Sequence, residues 1–97
     1  MTKGYWVVAY RSISDDAAVK AYSALAGPAI QSSGGRVLTR STSRVLIHEA
    51  GLQQRAILVE FDSYEIALGA YESEAYQTAL QTLGSGAERD FRIVEGA

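Results

Sequence analysis

Apolar and polar residues alternate in short runs near both ends of the chain and again in its middle. Residues 5–11 and 55–62 are rich in aromatic and β-branched side chains, which pack well on a pleated sheet. Residues 88–95 repeat the alternation. These three runs predict three β-strands.

A fourth strand is predicted between the first two, in halves at residues 36–40 and 44–49. Three hydroxyl residues at 41–43 interrupt the alternation and predict a bend between the halves. Residues 50–53 then suit a hairpin loop that leads into the strand at 55–62.

A long helix is predicted after the first strand. Ser14 or Asp15 caps it, because a short polar side chain accepts a hydrogen bond from the free N–H groups of the first turn. Gly27 and Pro28 predict a kink or a restarted helix, and the glycines at 34–35 end it. Its apolar stripe is Val19, Tyr22, Leu25 or Ala26, Ala29 and Ile30.

Two further helical segments are predicted in the second half of the chain. Ser63 caps one and Ser73 caps the other. Their inward-facing residues are expected to be Ala67, Leu68 and Tyr71 in the first, and Tyr76, Ala79, Leu80 and Leu83 in the second.

The order of these elements is β-α-β-β-α-β, which is typical of the ferredoxin-like fold. We therefore expect one α+β domain over residues 1–97. Its four strands would form an antiparallel sheet with the helices on one face.

Both faces of the predicted sheet are largely apolar. In the first strand, alternate residues from Tyr5 to Ala9 point to one face and those from Trp6 to Tyr10 point to the other. The helices can cover only one face, and a monomer rarely exposes a second one of this kind. We expect a second copy of the chain to cover it, although the sequence leaves open which face that is.

Several motifs occur in order along the chain. They are Gly4-Tyr5-Trp6, the spacing from Tyr22 through Gly27-Pro28 to Gly34-Gly35-Arg36, Val59-Glu60-Phe61, and Glu88-Arg89-Asp90 followed by Ile93-Val94-Glu95-Gly96. As a set they resemble the domain-of-unknown-function family numbered 1330 over nearly the whole chain. Residues 40–43 and 73–76 depart from the bend and the Ser-Pro-Glu-Tyr segment that are frequent in that family.

This resemblance implies the dimeric α/β-barrel superfamily, in which two ferredoxin-like protomers pack sheet against sheet. It implies a small bacterial protein that is usually a homodimer and has no established activity. It supplies no mechanism, so candidate functional residues have to come from the sequence itself.

Composition narrows the range of partners. The chain has 97 residues, a formal charge of −2 and no cysteine, which argues against nucleic acid and excludes disulfides and thiolate metal sites. Its longest apolar run, residues 5–10, is far shorter than the about 20 residues of a membrane-spanning helix. We expect a cytoplasmic protein without membrane partners.

His48 is the only histidine and one of two catalytic candidates. It would act as a general base, or as a haem ligand as in some relatives in the superfamily. Alternatively, it is a structural residue at a strand edge near the hairpin. Because no cysteine and no second histidine can join it, we expect no metal site, and no cofactor is predicted.

Glu60 is the other catalytic candidate, because it interrupts the most apolar strand on a face shared with Ala56 and Leu58. Burying a lone carboxylate is costly. If desolvation dominates, Glu60 would carry a proton or anchor a ligand. If Arg36 or Arg89 lies beside it, the two groups form a structural ion pair.

Aromatic and arginine side chains are the candidates for binding a small molecule. Tyr22, Tyr71 and Tyr76 have the spacing of a helix core, whereas Trp6 and Tyr10 suit a pocket or an interface. The full candidate set for ligand binding is Trp6, Tyr10, Tyr22, Arg36, Glu60 and Arg89.

RNA-recognition domains share this order of elements, so RNA binding has to be considered. Arg36, Arg40 and Arg44 would share one face of an unbroken strand, but the bend is expected to break that row. The strand at 55–62 also lacks the aromatic and glycine pattern of those domains. The sequence therefore argues against RNA.

The preferred interpretation is a homodimeric α/β barrel with a small-ligand cleft and no assigned reaction. One alternative is a cofactor-free monooxygenase or isomerase that acts on a small lipophilic or aromatic substrate. The other is a ligand-binding regulatory module.

Overall fold

A computed structural model describes residues 2–97; Met1, the first residue of the predicted domain, lies outside them. The elements are β1 (Gly4–Ile13), α1 (Asp16–Ser32), β2 (Arg36–Val37), β3 (Ala56–Phe61), α2 (Tyr64–Glu72), α3 (Glu74–Leu83) and β4 (Ala87–Glu95). The strands form one sheet in the order β2-β3-β1-β4, and every pairing is antiparallel. The predicted α+β, ferredoxin-like architecture is confirmed. Within residues 2–97, no helix is long and apolar enough to cross a membrane.

Short polar side chains begin all three helices, as the sequence predicts. The Asp15 carboxylate accepts from the N–H of Ala18 at 3.1 Å, and the Ser63 hydroxyl accepts from the N–H of Ile66 at 3.1 Å. The Ser73 hydroxyl does the same at the start of α3. These bonds satisfy N–H groups that have no partner inside the helix.

Helix α1 runs through Pro28 without a break, so the predicted restart is wrong. Pro28 lies four residues before the helix ends at Ser32, and its missing N–H removes one hydrogen bond, to the carbonyl of Ala24. The residues that follow it, Ala29 and Ile30, are buried against the sheet and keep this end of the helix in place. Gly34, at φ 77°, then ends the helix in a conformation that favours glycine.

The second strand is much shorter than predicted. Only Arg36–Val37 is a strand, and residues 44–49 form none. A hairpin loop at 50–53 would place Arg44 opposite Val59, but Val37 already occupies that position. Since the other edge of β3 is paired with β1, residues 44–49 have no strand to join.

Thr39 extends the pairing of β2 with its side chain. Its hydroxyl accepts from the N–H of Leu58 at 3.1 Å and donates to the carbonyl of Ala56 at 3.0 Å. The chain then turns away, because Arg40 and Ser43 exchange two hydrogen bonds of 2.9 and 3.0 Å. This turn is the predicted bend at 41–43. It lies within the long connection from β2 to β3, residues 38–55, which we call the β2–β3 segment.

The core lies between the sheet and the helices, around Trp6. The Trp6 ring is 1% exposed and packs against Phe61, Tyr76 and Phe91 at centroid distances of 5.0, 4.8 and 5.2 Å. Its indole N–H donates to the carbonyl of Ala67 in α2 at 2.9 Å. The ring therefore ties the central strand to both α2 and α3.

The helices cover the sheet face that carries Trp6, Val8 and Tyr10, which are all buried. Trp6 and Tyr10 therefore belong to the helix-covered side of the sheet, and the side that the helices leave uncovered is the opposite one. We call the opposite side the open face. It carries the apolar residues Tyr5, Val7, Ala9, Ala56, Leu58 and Val94 and the charged residues Glu60, Asp90 and Arg92.

Gly4 gives a direct test of how closely β1 approaches α2. A Cβ atom at Gly4 would lie 2.5 Å from the backbone oxygen of Ser63 and 2.6 Å from the Cα of Tyr64. Gly4→Ala should therefore lower the free energy of unfolding by about 1–3 kcal/mol, the usual cost of overpacking. Urea denaturation measures the change.

Gly69→Ala is the matched control for that substitution. Gly69 lies in α2, and an added Cβ there meets nothing within 4 Å. The control should stabilise the fold by about 0.5–1 kcal/mol, because alanine favours helix over glycine. A Gly4→Ala protein as stable as the parent would contradict the described packing.

Candidate functional site

A cavity of about 600 Å³ lies between α1, the helix-covered side of the sheet and the start of the β2–β3 segment. Its volume falls within the range of about 300–1,000 Å³ that is usual for small-molecule sites. Its walls are mainly apolar, and they include Trp6, Val8, Ile30, Ile57, Val59 and Phe91. We call this cavity the cleft.

The cleft exists because α1 carries small residues where it passes over the sheet. Ala26 and Gly27 line the cavity on the helix side, and a Cβ added to Gly27 would meet nothing within 4 Å. Val37 and Leu38 lie at the mouth and are about half exposed. The cleft is therefore open to solvent at the β2–β3 segment.

Arg89 is the most constrained polar side chain of the cleft. It stands on β4 beside Tyr10 of β1, and its guanidinium carbon lies 4.8 Å from the ring centroid of Tyr22 and 5.5 Å from those of Tyr10 and Phe91. Its Nη1 donates to the Tyr22 hydroxyl at 3.0 Å. A guanidinium over aromatic faces is held by cation–π attraction.

The Tyr22 hydroxyl connects Arg89 to the core. It lies 2.7 Å from the hydroxyl of Tyr76, which is fully buried, so the two phenols and the guanidinium form one chain. Burial raises the pKa of Tyr76 and of Tyr10 above the usual value. Both phenols therefore stay neutral at physiological pH, and neither can serve as a base there.

Arg89 keeps its positive charge in the cleft. Burial opposes the charge, but the phenol oxygens of Tyr22 and Tyr76 favour it, and the pKa of Arg89 lies above its ordinary value. Within residues 2–97, no carboxylate forms a salt bridge with it. The cleft thus holds a half-buried cation without an anion.

Two more arginines line the cleft, and sequence reasoning missed them as site residues. The guanidinium carbon of Arg55 lies 5.5 Å from the ring centroid of Tyr10, and Arg40 stands on the turn after Thr39. Arg55 could have been predicted from strand alternation, since residues 55, 57 and 59 point to the same face and Ile57 and Val59 lie on the covered one. Arg40 had none, because the bend removes any periodicity.

The structure brings four of the predicted ligand-binding residues together in the cleft and separates the other two. Trp6, Tyr10, Tyr22 and Arg89 all line it. Arg36 and Glu60 are not among its residues. They lie at the edge of the open face, on the other side of the sheet.

Glu60 forms an ion pair with Arg36. The Arg36 Nε donates to one Glu60 carboxylate oxygen at 2.9 Å, and the Tyr5 hydroxyl donates to the other at 3.3 Å. The hydrogen bond from Arg36 holds the pKa of Glu60 below its usual value. This favours the structural alternative over a proton carrier. The alternative pairing with Arg89 is wrong, because Arg89 lies on the opposite face.

His48 lies outside the cleft. It is exposed in the β2–β3 segment and lines a second cavity, of about 370 Å³, beside Ala9 and Asp90. The predicted strand edge around it is absent, because residues 44–49 form no strand. In the described part of the chain, no three His, Cys, Asp or Glu side chains are grouped as a metal site.

The row of arginines that an unbroken second strand would carry does not form. Arg36 is paired on the open face, Arg40 lines the cleft, and Arg44 is exposed elsewhere on the β2–β3 segment. The bend separates the three side chains, as the sequence analysis expects.

Comparison with known proteins assigns the chain to a family. Residues 3–97 match the model of the domain of unknown function DUF1330, and the chain belongs to that family. A comparison with curated proteins found no match.

Solved structures share the fold at low sequence identity. A protein of unknown function from Rhodopseudomonas palustris is 17% identical, with a TM-score of 0.72 over 97% of this chain and 80% of that chain. An ethyl tert-butyl ether d (EthD) family protein from Bacillus halodurans is 12% identical, with a TM-score of 0.60 over all of both chains. A candidate antibiotic biosynthesis monooxygenase from Nitrosomonas europaea is 17% identical, with a TM-score of 0.56 over 98% and 89%.

The loss of stability between neutral and acidic pH should depend on Arg36. It depresses the folded-state pKa of both Glu60 and Asp62, so their stabilising effect is full above the unfolded values of 4.5 and 3.8 and disappears as pH falls through the folded values. Arg36→Gln should lower the urea midpoint near pH 7 and change it little near pH 2.5.

Arg44→Gln is the control for that pH profile. Arg44 is exposed and has no carboxylate partner among the described residues. The control should match the parent at both pH values. An equal effect of Arg36→Gln at both values would show that the ion pair does not stabilise the fold.

Proposed function

We propose that the protein binds a small, largely aromatic or apolar molecule in the cleft and that Arg89 holds an anionic group of this ligand. The observation that carries the proposal is the half-buried Arg89 guanidinium, which forms no salt bridge with any carboxylate of residues 2–97. A buried charge without a counter-ion is unfavourable. A carboxylate, enolate or similar anion entering the cleft would supply the counter-ion.

The geometry around Arg89 suits such a ligand. One of its N–H groups is committed to Tyr22, and the planar guanidinium retains further donors for a carboxylate. The rings of Tyr10 and Phe91 and the aliphatic walls offer an apolar surface to the rest of the molecule. The single tryptophan of the chain, Trp6, also lines the cleft, so its fluorescence reports on occupancy.

A cofactor-free monooxygenase or isomerase is the second candidate function. A fixed cation stabilises the enolate or oxyanion that such reactions form, and Arg89 is placed to do so. The fold shared with the candidate monooxygenase from Nitrosomonas europaea supports this alternative. Binding is favoured over catalysis, because the described lining of the cleft includes no histidine or carboxylate to act as a base. A regulatory ligand-binding module is the third candidate.

We further propose a homodimer through the open face. Its apolar residues include Val7 and Leu58 on the two inner strands and Val94 on the edge strand β4, and the Arg36–Glu60 and Arg92–Asp90 pairs flank them. An apolar centre with a charged rim is the usual anatomy of a protein interface. The cleft lies on the other side of the sheet, so each protomer would keep its own.

The cysteine-free sequence supports a cytoplasmic location.

Phenylacetate and its neutral analogue phenylacetamide test the role of Arg89. Quenching of Trp6 fluorescence and calorimetry should show phenylacetate binding about 10- to 100-fold more tightly, because a hydrogen bond to a charged group contributes about 1.5–3 kcal/mol. Arg89→Gln should remove this preference, and Arg89→Lys should keep part of it.

The control variant is Arg44→Gln, which removes an arginine outside the cleft and should leave the preference unchanged. Urea midpoints of the Arg89 variants establish that they are folded. Equal binding of acid and amide to the folded parent protein would refute an anion site at Arg89.

Leu58→Asp tests the proposed dimer. Leu58 lies on the inner strand β3, with Val7 as its neighbour on the open face, and a carboxylate buried there against the partner would be costly. Sedimentation velocity should show the parent as a dimer and the variant as a single chain. Ile66→Asp, an exposed apolar position on α2, should remain dimeric. A parent protein that sediments as one chain at micromolar concentration would refute the interface.

A further inference from the structure

The cleft concentrates positive charge in a chain that is acidic overall. The chain has a formal charge of −2, yet Arg40, Arg55 and Arg89 all line the cleft, and no Asp or Glu appears in its described lining. Charges of one sign in a cleft with apolar walls raise the local concentration of the opposite charge. The excess of positive charge is therefore a property of the cleft and not of the whole protein surface.

The arginines elsewhere on the sheet are arranged differently. Arg11 is paired with Glu88, Arg36 with Glu60 and Asp62, and Arg92 with Asp90. Among the described residues, no salt bridge reaches Arg40, Arg55 or Arg89. Charge compensation is thus the rule for the arginines of β1, β2 and β4 that point away from the cleft, and it is missing for the three that line it. Arg44, which is exposed on the β2–β3 segment outside the cleft, also has no carboxylate partner among the described residues.

The three cleft arginines occupy two positions. Arg89 is the inner one, since it is hydrogen-bonded to the buried Tyr22. Arg55 and Arg40 form the outer one, on the β2–β3 segment, where Arg40 is exposed. Both positions border the Tyr10 ring, because the guanidinium carbons of Arg55 and Arg89 are each 5.5 Å from its centroid.

The outer position is fixed to the sheet by the backbone. The carbonyl of Arg55 accepts from the N–H of Tyr10 at 3.0 Å, immediately before β3 begins. Arg40 is held by the turn in which its N–H donates to the Ser43 hydroxyl at 2.9 Å. Both side chains therefore start from backbone that is hydrogen-bonded, which limits where their charges can lie.

We infer that the ligand of the cleft carries two anionic groups, one held by Arg89 and the other by Arg55 with Arg40, on either side of an aromatic or apolar body. This inference rests on the proposed function and narrows its ligand class from acids in general to diacids. A single anion at Arg89 would leave Arg40 and Arg55, which also line the cleft, without a counter-ion. A second anion would supply one and add charge-assisted hydrogen bonds.

The experiment compares 1,4-phenylenediacetate with its monomethyl ester, which keeps the size and one charge and removes the other. Calorimetry and Trp6 fluorescence should show the diacid binding at least about tenfold more tightly to the parent protein, because it gains charge-assisted hydrogen bonds. In the Arg40→Gln/Arg55→Gln protein this ratio should fall close to one, while the affinity for the monoester changes little. Arg44→Gln should keep the parent ratio.

Two results would overturn the inference and leave the proposed function intact. One is equal binding of diacid and monoester to the parent protein, with both still dependent on Arg89. The other is an equal loss of both ligands in the double variant, which would mean that the outer arginines only attract anions in general. If neither ligand depends on Arg89, the proposed function fails as well. Urea midpoints of the variants show that each is folded.

Discussion

The cleft depends on the contacts of the Arg89 guanidinium, which is enclosed by aromatic rings and hydrogen-bonded to Tyr22. The guanidinium is stable in place because cation–π contacts and one hydrogen bond replace part of its hydration. The same surroundings provide no counter-ion within the described chain. Arg89 is therefore both a packed residue that joins β4 to α1 and the strongest attraction for an anion in the cleft.

The hydrophobic core keeps Tyr22 and Arg89 in place. Tyr76 of α3 bonds to the Tyr22 hydroxyl, and Trp6 packs on Tyr76 and Phe91 while its indole N–H binds the carbonyl of Ala67. The central strand, both later helices and α1 thus meet around one aromatic cluster. The cleft opens beside this cluster only because α1 carries alanine and glycine there. Packing and site are consequently built from the same residues.

Local chemistry was enough to predict most of the fold but not all of the site. Helix caps, strand alternation and the order of elements depend on neighbouring residues, and they predicted the sheet and Trp6 and Tyr10 as pocket candidates. Arg89 was a candidate chiefly as a partner of Glu60, and only the fold brings it to Tyr22 in the cleft. Residues 44–49 have the composition of a strand, but Val37 already occupies the edge of β3 that they needed. Glu60 was a catalytic candidate because its neighbours in sequence are apolar. In the fold it lies on the open face, where it pairs with Arg36 and is separated from the cleft.

The most direct test of the central claim is nuclear magnetic resonance of the arginine side chains in ¹⁵N-labelled protein. The Nε–H signals of Arg89 and Arg36 would be followed as phenylacetate is added to saturation. An anion bound in the cleft predicts a large shift of the Arg89 signal and none for Arg36, which is already paired with Glu60. An unchanged Arg89 signal at saturation, or a shift of Arg36 instead, would contradict the account.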